Sequence, residues 1–325
     1  MINYISFEEF GKERVQSIIN LWNDDFGFMY PITPELLLRN TYETPGFKAE
    51  HSFIALNDNE IVGFVINKIW QNDFVISKYE NVGWISLIYV SKKTRRLGIG
   101  SELLNKSLNS FKSLGIKKVQ LGSDYQNFFP GLPKDFKENL DWFLKRGFNT
   151  PGETNDLIHY VKPYDEYKSK QYKDNVNYQI GFAEKEDVPE LIKFMKETFD
   201  GRWLKELLDY LDNDYLGKEF VIAKNEQNHV CGFVRVGEKN TPTSKIGFSL
   251  TYRARFKNLG GIGPLGVSKD CRGNNIAYNL LVFAINYLKC MNCSEIIIDW
   301  TNLMSFYRQF KFEIWKSYYY LQMEI

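Results

Sequence analysis

The chain is written twice. Adding 177 to a residue number carries Val90 to Val267, Arg95 to Arg272, Gly100 to Ala277 and Val119 to Ile296, with no gap across the stretch between them. Gly63-Phe64-Val65 recurs as Gly232-Phe233-Val234 at a different offset, so the hairpin ahead of that block differs in length between the copies. Further on, Trp142-Phe143 aligns with Phe306-Tyr307 at an offset of 164, which leaves thirteen extra residues in the first copy, around 123–133. A repeat this long is a whole domain rather than a solenoid unit. At 325 residues, 44% of them hydrophobic, the chain can bury two cores. Domains over 1–166 and 167–325 are expected, with a polar stretch at 162–175, lacking any apolar period, as the linker.

Each copy reads as an α/β unit. In the first, a short strand at 4–6 is followed by the capping pattern Ser6-x-x-Glu9 and a helix burying Phe10, Val15, Ile18, Ile19 and Trp22. A polar, aromatic loop is expected at 23–31 and a short helix over 34–42. Strands follow at 52–56, 61–70 and 84–90, a helix over 99–114 stopped by Gly115, and a strand at 117–121. In the second, Asp187 can cap a helix with Pro189 in its first turn, and strands are expected at 220–223 and 230–236.

The ungapped block holds the chemistry. An apolar strand ending at Val90 leads into Lys92, Lys93, Arg95, Arg96, Gly98 and Gly100, and then into a helix. The first amides of a helix lack intrahelical partners and sit at the positive end of its dipole, so an anion can bind there on main chain alone. Four cationic side chains around that point suit more than one phosphate. The spacing Arg95-x-x-Gly98-x-Gly100 is not the triphosphate loop, because no Gly-Lys-Ser/Thr follows, and it is not the dinucleotide fingerprint Gly-x-Gly-x-x-Gly.

Forty-one basic and forty acidic residues give a net charge of +1, which excludes a global field for nucleic acid or an anionic membrane. No apolar run reaches the roughly 18 to 20 residues of a membrane span, and the N-terminus lacks the regions of a signal peptide, so a cytoplasmic location is expected. Cys231, Cys271, Cys290 and Cys293 all lie in the second copy and read as reduced thiols. Cys290 and Cys293 have half the spacing of a zinc site but no second pair, so no metal is expected.

The turn resembles the acetyl-coenzyme A loop of the GNAT acetyltransferases, Arg/Gln-x-x-Gly-x-Gly/Ala beyond a strand-ending hydrophobe. From end to end the chain is similar to tandem members of that superfamily, through Trp22-Asn23, Phe128-Phe129-Pro130-Gly131 and the turn in the first half. In the second half the matching residues are Gly263 to Val267, Arg272 with Ala277, and Trp300 with Phe306-Tyr307, Phe312 and Trp315. The resemblance implies two α/β domains, each a mixed sheet that splays after its fourth strand, with pantetheine in the opening and pyrophosphate on the turn. The implied cofactor residues are Ile88, Tyr89, Val90, Arg95, Arg96, Leu97, Gly98, Ile99, Gly100 and Ser101. Val267, Arg272, Gly273, Asn275, Ile276 and Ala277 are their counterparts in the second copy. Amides of the splayed strand would serve the oxyanion, and a tyrosine at the start of the next helix would protonate the thiolate.

The copies depart from that pattern in opposite ways. Tyr307 occupies the acid position in the second copy, where the first has Phe143; the first has the complete glycine turn, where the second has Asn275, a residue that tolerates left-handed backbone. The first turn is therefore the expected cofactor site. If the first copy is catalytic, its insertion supplies Asp124 and Tyr125 as acids. Asp24, Asp25 and Tyr30 would border the acceptor pocket, where carboxylates suit a cationic amine, and Phe128 and Phe129 would wall it; Arg202 and Trp203 hold the matching place in the second copy. The expected activity is acetyl transfer to a primary amine of a small molecule, an antibiotic or aminopolyol peptide among the acceptors, by a monomer or homodimer. The alternatives are a degenerate pair holding coenzyme A as a sensor or structural ligand, and acetylation of protein lysines.

Overall fold

The computed structural model describes residues 1–212, 219–238 and 250–325. The first copy runs β1 (Ile2–Ser6), α1 (Phe7–Phe10), α2 (Val15–Phe26), α3 (Pro34–Arg39), β2 (Phe53–Asn57), β3 (Glu60–Ile69), β4 (Val82–Val90), α4 (Ile99–Ser113), β5 (Lys118–Leu121), β6 (Leu132–Pro133), α5 (Glu138–Leu144) and β7 (Glu153–Tyr160). The second continues with β8 (Gln179–Phe182), α6 (Val188–Thr198), α7 (Arg202–Asp212), β9 (Phe220–Lys224), β10 (Val230–Gly237), α8 (Leu250–Arg253), β11 (Leu259–Val267), α9 (Ile276–Cys290), β12 (Glu295–Thr301), α10 (Met304–Tyr307), β13 (Glu313–Tyr319) and β14 (Leu321–Glu324).

Among the described residues the strands form two mixed sheets, ordered β1-β2-β3-β4-β5-β14 and β6-β13-β7-β12-β11-β10-β9-β8. The last strand of each copy lies in the other copy's sheet: β14 pairs antiparallel with β5, and β7 stands between β12 and β13. The described chain groups into two compact units. One comprises Met1–Asn155, Leu250–Arg255 and Lys316–Ile325, the other Asp156–Ser249 and Phe256–Trp315.

Local chemistry sets the elements of the first unit. Ser6 Oγ accepts the Glu9 amide at 3.0 Å to cap α1, and Thr33 caps α3 ahead of Pro34. Helix α2 buries Ile18, Ile19 and Trp22 and runs on to Phe26, so the expected loop begins only at Gly27. The Phe26 ring explains the extension, since it lies 5.0 Å from Trp22 and 5.8 Å from Tyr89 and gains that packing by staying helical. Helix α4 lays Ile99, Leu103, Leu104 and Phe111 on the core of β-sheet residues Val65, Ile85 and Val119.

The repeat is visible in the backbone. Positive φ angles recur at Arg96 and Gly273 (65° and 90°), Gly98 and Asn275 (80° and 64°), Gly115 and Asn292 (73° and 59°), and Ser123 and Trp300 (59° and 50°). Each pair is separated by the same 177 residues found in the sequence. Side chains differ while the turns do not, because left-handed backbone is imposed by the path of the chain.

The polar linker is an ordered strap on the second unit. Asn279 exchanges two hydrogen bonds with the Lys170 main chain, at 2.7 and 2.8 Å; Asn286 donates to Tyr167 O at 3.0 Å, and Lys289 Nζ donates to Pro163 O and Asp165 O. These are side chains on one helix reading the backbone of an extended segment, a pattern that hydrophobic periodicity does not register.

Since β14 completes the first unit's sheet and Leu321 is buried in its core, Leu321→Ala is expected to destabilise that unit by about 2–4 kcal/mol. Urea denaturation followed by tryptophan fluorescence checks this, and a loss below about 0.5 kcal/mol would show that the strand contributes little.

Candidate functional site

In the first sheet β4 outruns its neighbour. The parallel pairing of β4 with β5 extends from Val82–Lys118 to Ile85–Leu121 and stops, while β4 continues to Val90 against β3 alone. After Leu121 the chain turns away through Gly122 and Ser123, both at positive φ. The Gly122 amide still bonds Ile85 O at 2.9 Å, and Ser123 N bonds Phe129 O at 2.9 Å. A Cβ on Gly122 would lie 2.4 Å from Phe129 O, so the insertion loop requires glycine there.

The gap opens into a cleft of about 640 Å³. Ser86 to Val90 line one wall, Leu121 and Gly122 the other, and Arg95, Arg96, Gly98, Ile99, Gly100 and Ser101 the mouth; Trp22, Phe26, Phe129 and Phe136 add aromatic surface. In an antiparallel pair alternate residues turn their N–H and C=O groups away from the partner, so alternate residues within Leu87–Val90 turn main chain toward the cleft. Gly98 begins α4 in the left-handed region with no side-chain cap, and a Cβ there would meet nothing within 4 Å. The first residues of α4 thus line the cleft without a side-chain cap on their amides.

Side chains brace this mouth. Arg95 Nε donates to Val90 O at 3.2 Å, a contact repeated by Arg272 Nε and Val267 O in the other copy. Arg146, which sequence reasoning missed, stacks 3.9 Å above Trp142 and donates to Ser101 Oγ at 2.8 Å. Its only trace in the sequence is an Arg four residues after a Trp on a short helix. Asp25 accepts from Tyr89 Oη at 2.5 Å and lies 3.7 Å from Lys92 Nζ, so it ties α2 to the end of β4. Burial, reinforced by that bond to Asp25, raises the Tyr89 phenol well above its ordinary range.

The other expected site residues are dispersed. Asp24 is exposed on α2, Leu97 is exposed at the tip of the turn, and Tyr30 is fully buried, its hydroxyl bonded to Asp135. Although burial opposes it, Asp135 is held below the usual carboxylate range by Lys316 and Tyr30. Phe129 lies 5.0 Å from Tyr30 and lines the cleft, whereas Phe128 covers Lys68 at 5.6 Å. Tyr125 leaves the cleft altogether and packs 5.1 Å from Trp70, beside Tyr79 and Trp84. Asp124 is buried, with Oδ1 2.8 Å from Lys68 Nζ and Oδ2 bonded to Ser86 Oγ. Burial lowers the Lys68 ammonium despite that carboxylate. Phe143 lines the cleft where a tyrosine would stand.

The second unit repeats the splay with different groups. Strands β11 and β12 pair in parallel only from Leu259–Glu295 to Gly261–Ile297. Its turn carries Lys269, Asp270 and Arg272, and the strap reaches it: Asn274 donates to Asp174 and Asn275 to Gln171 O, each at 2.8 Å. Lys269, Asp270, Arg272 and Gly273 thus stand where the first turn has Lys92, Lys93, Arg95 and Arg96. Tyr307 is buried in the core with Phe310 and Phe312, and burial, then Asp299, pushes its phenol up to about 12. Burial and the neighbouring Asp156 push Asp299 up to about 7.

An Asp whose folded pKa exceeds its unfolded value costs stability once the unfolded carboxyl ionises, and the cost levels off above the folded pKa. Asp299→Asn is therefore expected to be close to neutral near pH 4 and stabilising by about 4 kcal/mol above pH 7. Denaturant titrations across that range measure it, and a pH-independent difference would contradict the assignment.

The acetyltransferase (GNAT) family model matches the chain twice, over residues 15–129 and 188–312. Among solved structures, one similar protein is a fungal multi-domain GH3 β-N-acetylglucosaminidase with a GCN5-related glucosamine N-acetyltransferase region. At 21% identity and a TM-score of 0.82 it aligns with 99% of this chain, which spans 38% of that enzyme's length. A GCN5-related N-acetyltransferase from Sphaerobacter thermophilus aligns at 14% identity over 99% and 95% of the two chains, TM-score 0.67. A tandem GNAT protein from the clavulanic acid biosynthesis pathway aligns at 10% identity over 100% and 98%, TM-score 0.68. No curated protein matches the chain in sequence.

Proposed function

The chain belongs to the acetyltransferase (GNAT) family, and from that premise we propose that it moves an acetyl group from acetyl-coenzyme A to the primary amine of a small polar molecule, with an amino sugar as the favoured acceptor. The observation that carries this reading is the first-unit cleft, which joins strand main chain to a helix N-terminus with Arg95, Arg96 and Arg146 beside it. The residues fit the cofactor. The diphosphate would rest on the amides at the head of α4, with Arg95, Arg96 and Arg146 around it, and the pantetheine amides would pair with Leu87–Val90. The bound cofactor supplies an activated thioester.

The protein's own part is alignment and shielding. Amides on the splayed strand offer donors where the carbonyl oxygen gains charge. Trp22, Phe26 and Phe129 exclude water from the inner cleft and give flat apolar surface suited to the face of a sugar ring. The fungal relative's glucosamine acceptor supports that substrate class. In the second unit the strap and the lower positive charge of its turn argue against a second strong anion site.

Gly100 would place a Cβ 3.6 Å from both Trp142 and Val90, inside the mouth. Gly100→Val is expected to weaken acetyl-coenzyme A binding at least ~10-fold, about 1.4 kcal/mol, while Ala277→Val at the matching position leaves it unchanged. Calorimetry measures both, alongside thiol release from acetyl-coenzyme A with glucosamine and a panel of other primary amines. Binding without thiol release across the panel would favour a coenzyme A-binding module over an enzyme.

A further inference from the structure

Ser86 sits at the bulge of β4, where Ile66 and Asn67 of β3 pair with Leu87 and Ile85 and leave Ser86 between them. It lines the cleft at the level where β4 and β5 part. The direction of its hydroxyl is fixed from behind. Lys68 has three donors and uses all of them, on Asp124 Oδ1 at 2.8 Å, Gln126 O at 2.8 Å and Asn40 Oδ1 at 3.2 Å. That holds the Asp124 carboxylate in place, and a carboxylate only accepts. Its second oxygen therefore takes the Ser86 hydrogen. Lys68 and Asp124 are 3% and 1% exposed, so water does not compete for the bonds between them.

A serine with its one hydrogen committed can only accept from anything in the cleft. We propose that Ser86 Oγ receives an N–H of the acceptor amine and so points the amine lone pair at the thioester, with Asp124 and Lys68 as the residues that set its polarity. Ser86 is then the contact and the buried pair are positioning residues. The assignment rests on the reading that transfer occurs in the first-unit cleft. It also accounts for the insertion, which delivers Asp124 and Gln126 to Lys68 and has no counterpart in the second copy.

The test compares Ser86→Ala, Ser86→Thr and Asp124→Asn in the full chain, with glucosamine or the best amine of the panel as acceptor. Ser86→Ala is expected to lower kcat/KM for the amine at least ~10-fold and to leave the acetyl-coenzyme A dissociation constant within about twofold. Ser86→Thr, which keeps the hydroxyl, should restore most of the activity. Asp124→Asn, which turns a donor toward Ser86 and frees its hydrogen, should match Ser86→Ala while melting as a folded protein. Unchanged kcat/KM in folded Ser86→Ala would overturn the inference, as would a loss confined to acetyl-coenzyme A binding. Acetyl-coenzyme A binding left unchanged by Gly100→Val would instead overturn the reading beneath it.

Discussion

The structure of the first unit depends on one unfinished pairing. Strand β4 keeps its partner β5 as far as Ile85 and Leu121 and then loses it, because left-handed residues Gly122 and Ser123 send the chain toward Phe129. Peptide groups in an apolar cleft without partners cost free energy. A ligand with amides along its length offsets that cost, and a turn with free N–H groups lies at the end of the same strand. On the proposed reading, binding and chemistry are coupled through a single strand, whose end would anchor the anion and whose bulge would meet the reacting group.

The two copies show how one backbone can be put to different uses. Their turns share positive φ at matching positions, yet the first carries Lys92, Lys93, Arg95 and Arg96 and the second is strapped by Gln171 and Asp174. The second copy keeps Tyr307, and beside it Asp299, whose carboxyl is pushed up to about 7 by burial and Asp156. The first lacks a tyrosine there but has the Lys68–Asp124–Ser86 chain. An ion pair this deeply buried is weak support for stability in itself, although removing only one partner would cost roughly 3–5 kcal/mol. Its orientation of a cleft hydroxyl gives it a reason to be there.

The turns, helices and repeat were legible because each has a local signature: a glycine, a cap, an apolar period, or a fixed spacing. The fold class followed from them, as did the line of main chain from Val90 to Ser101. What escaped was tertiary. Asp25 looks like a pocket carboxylate in the sequence and is a clasp on Tyr89; Asp124 and Tyr125 are neighbours in the chain yet point to opposite environments, one to Lys68 and the other to Trp70. Arg146 and Lys68 carry no motif, since the partners that define their roles lie 45 and 56 residues away. The exchange of final strands between sheets leaves no local mark at all.

A crystal soaked with coenzyme A addresses the central claim most directly. The diphosphate should appear within hydrogen-bonding distance of the amides of residues 98–101, with the pantetheine arm between β4 and β5. Density confined to the turn at 275–277, or lying outside both splayed pairs, would contradict it.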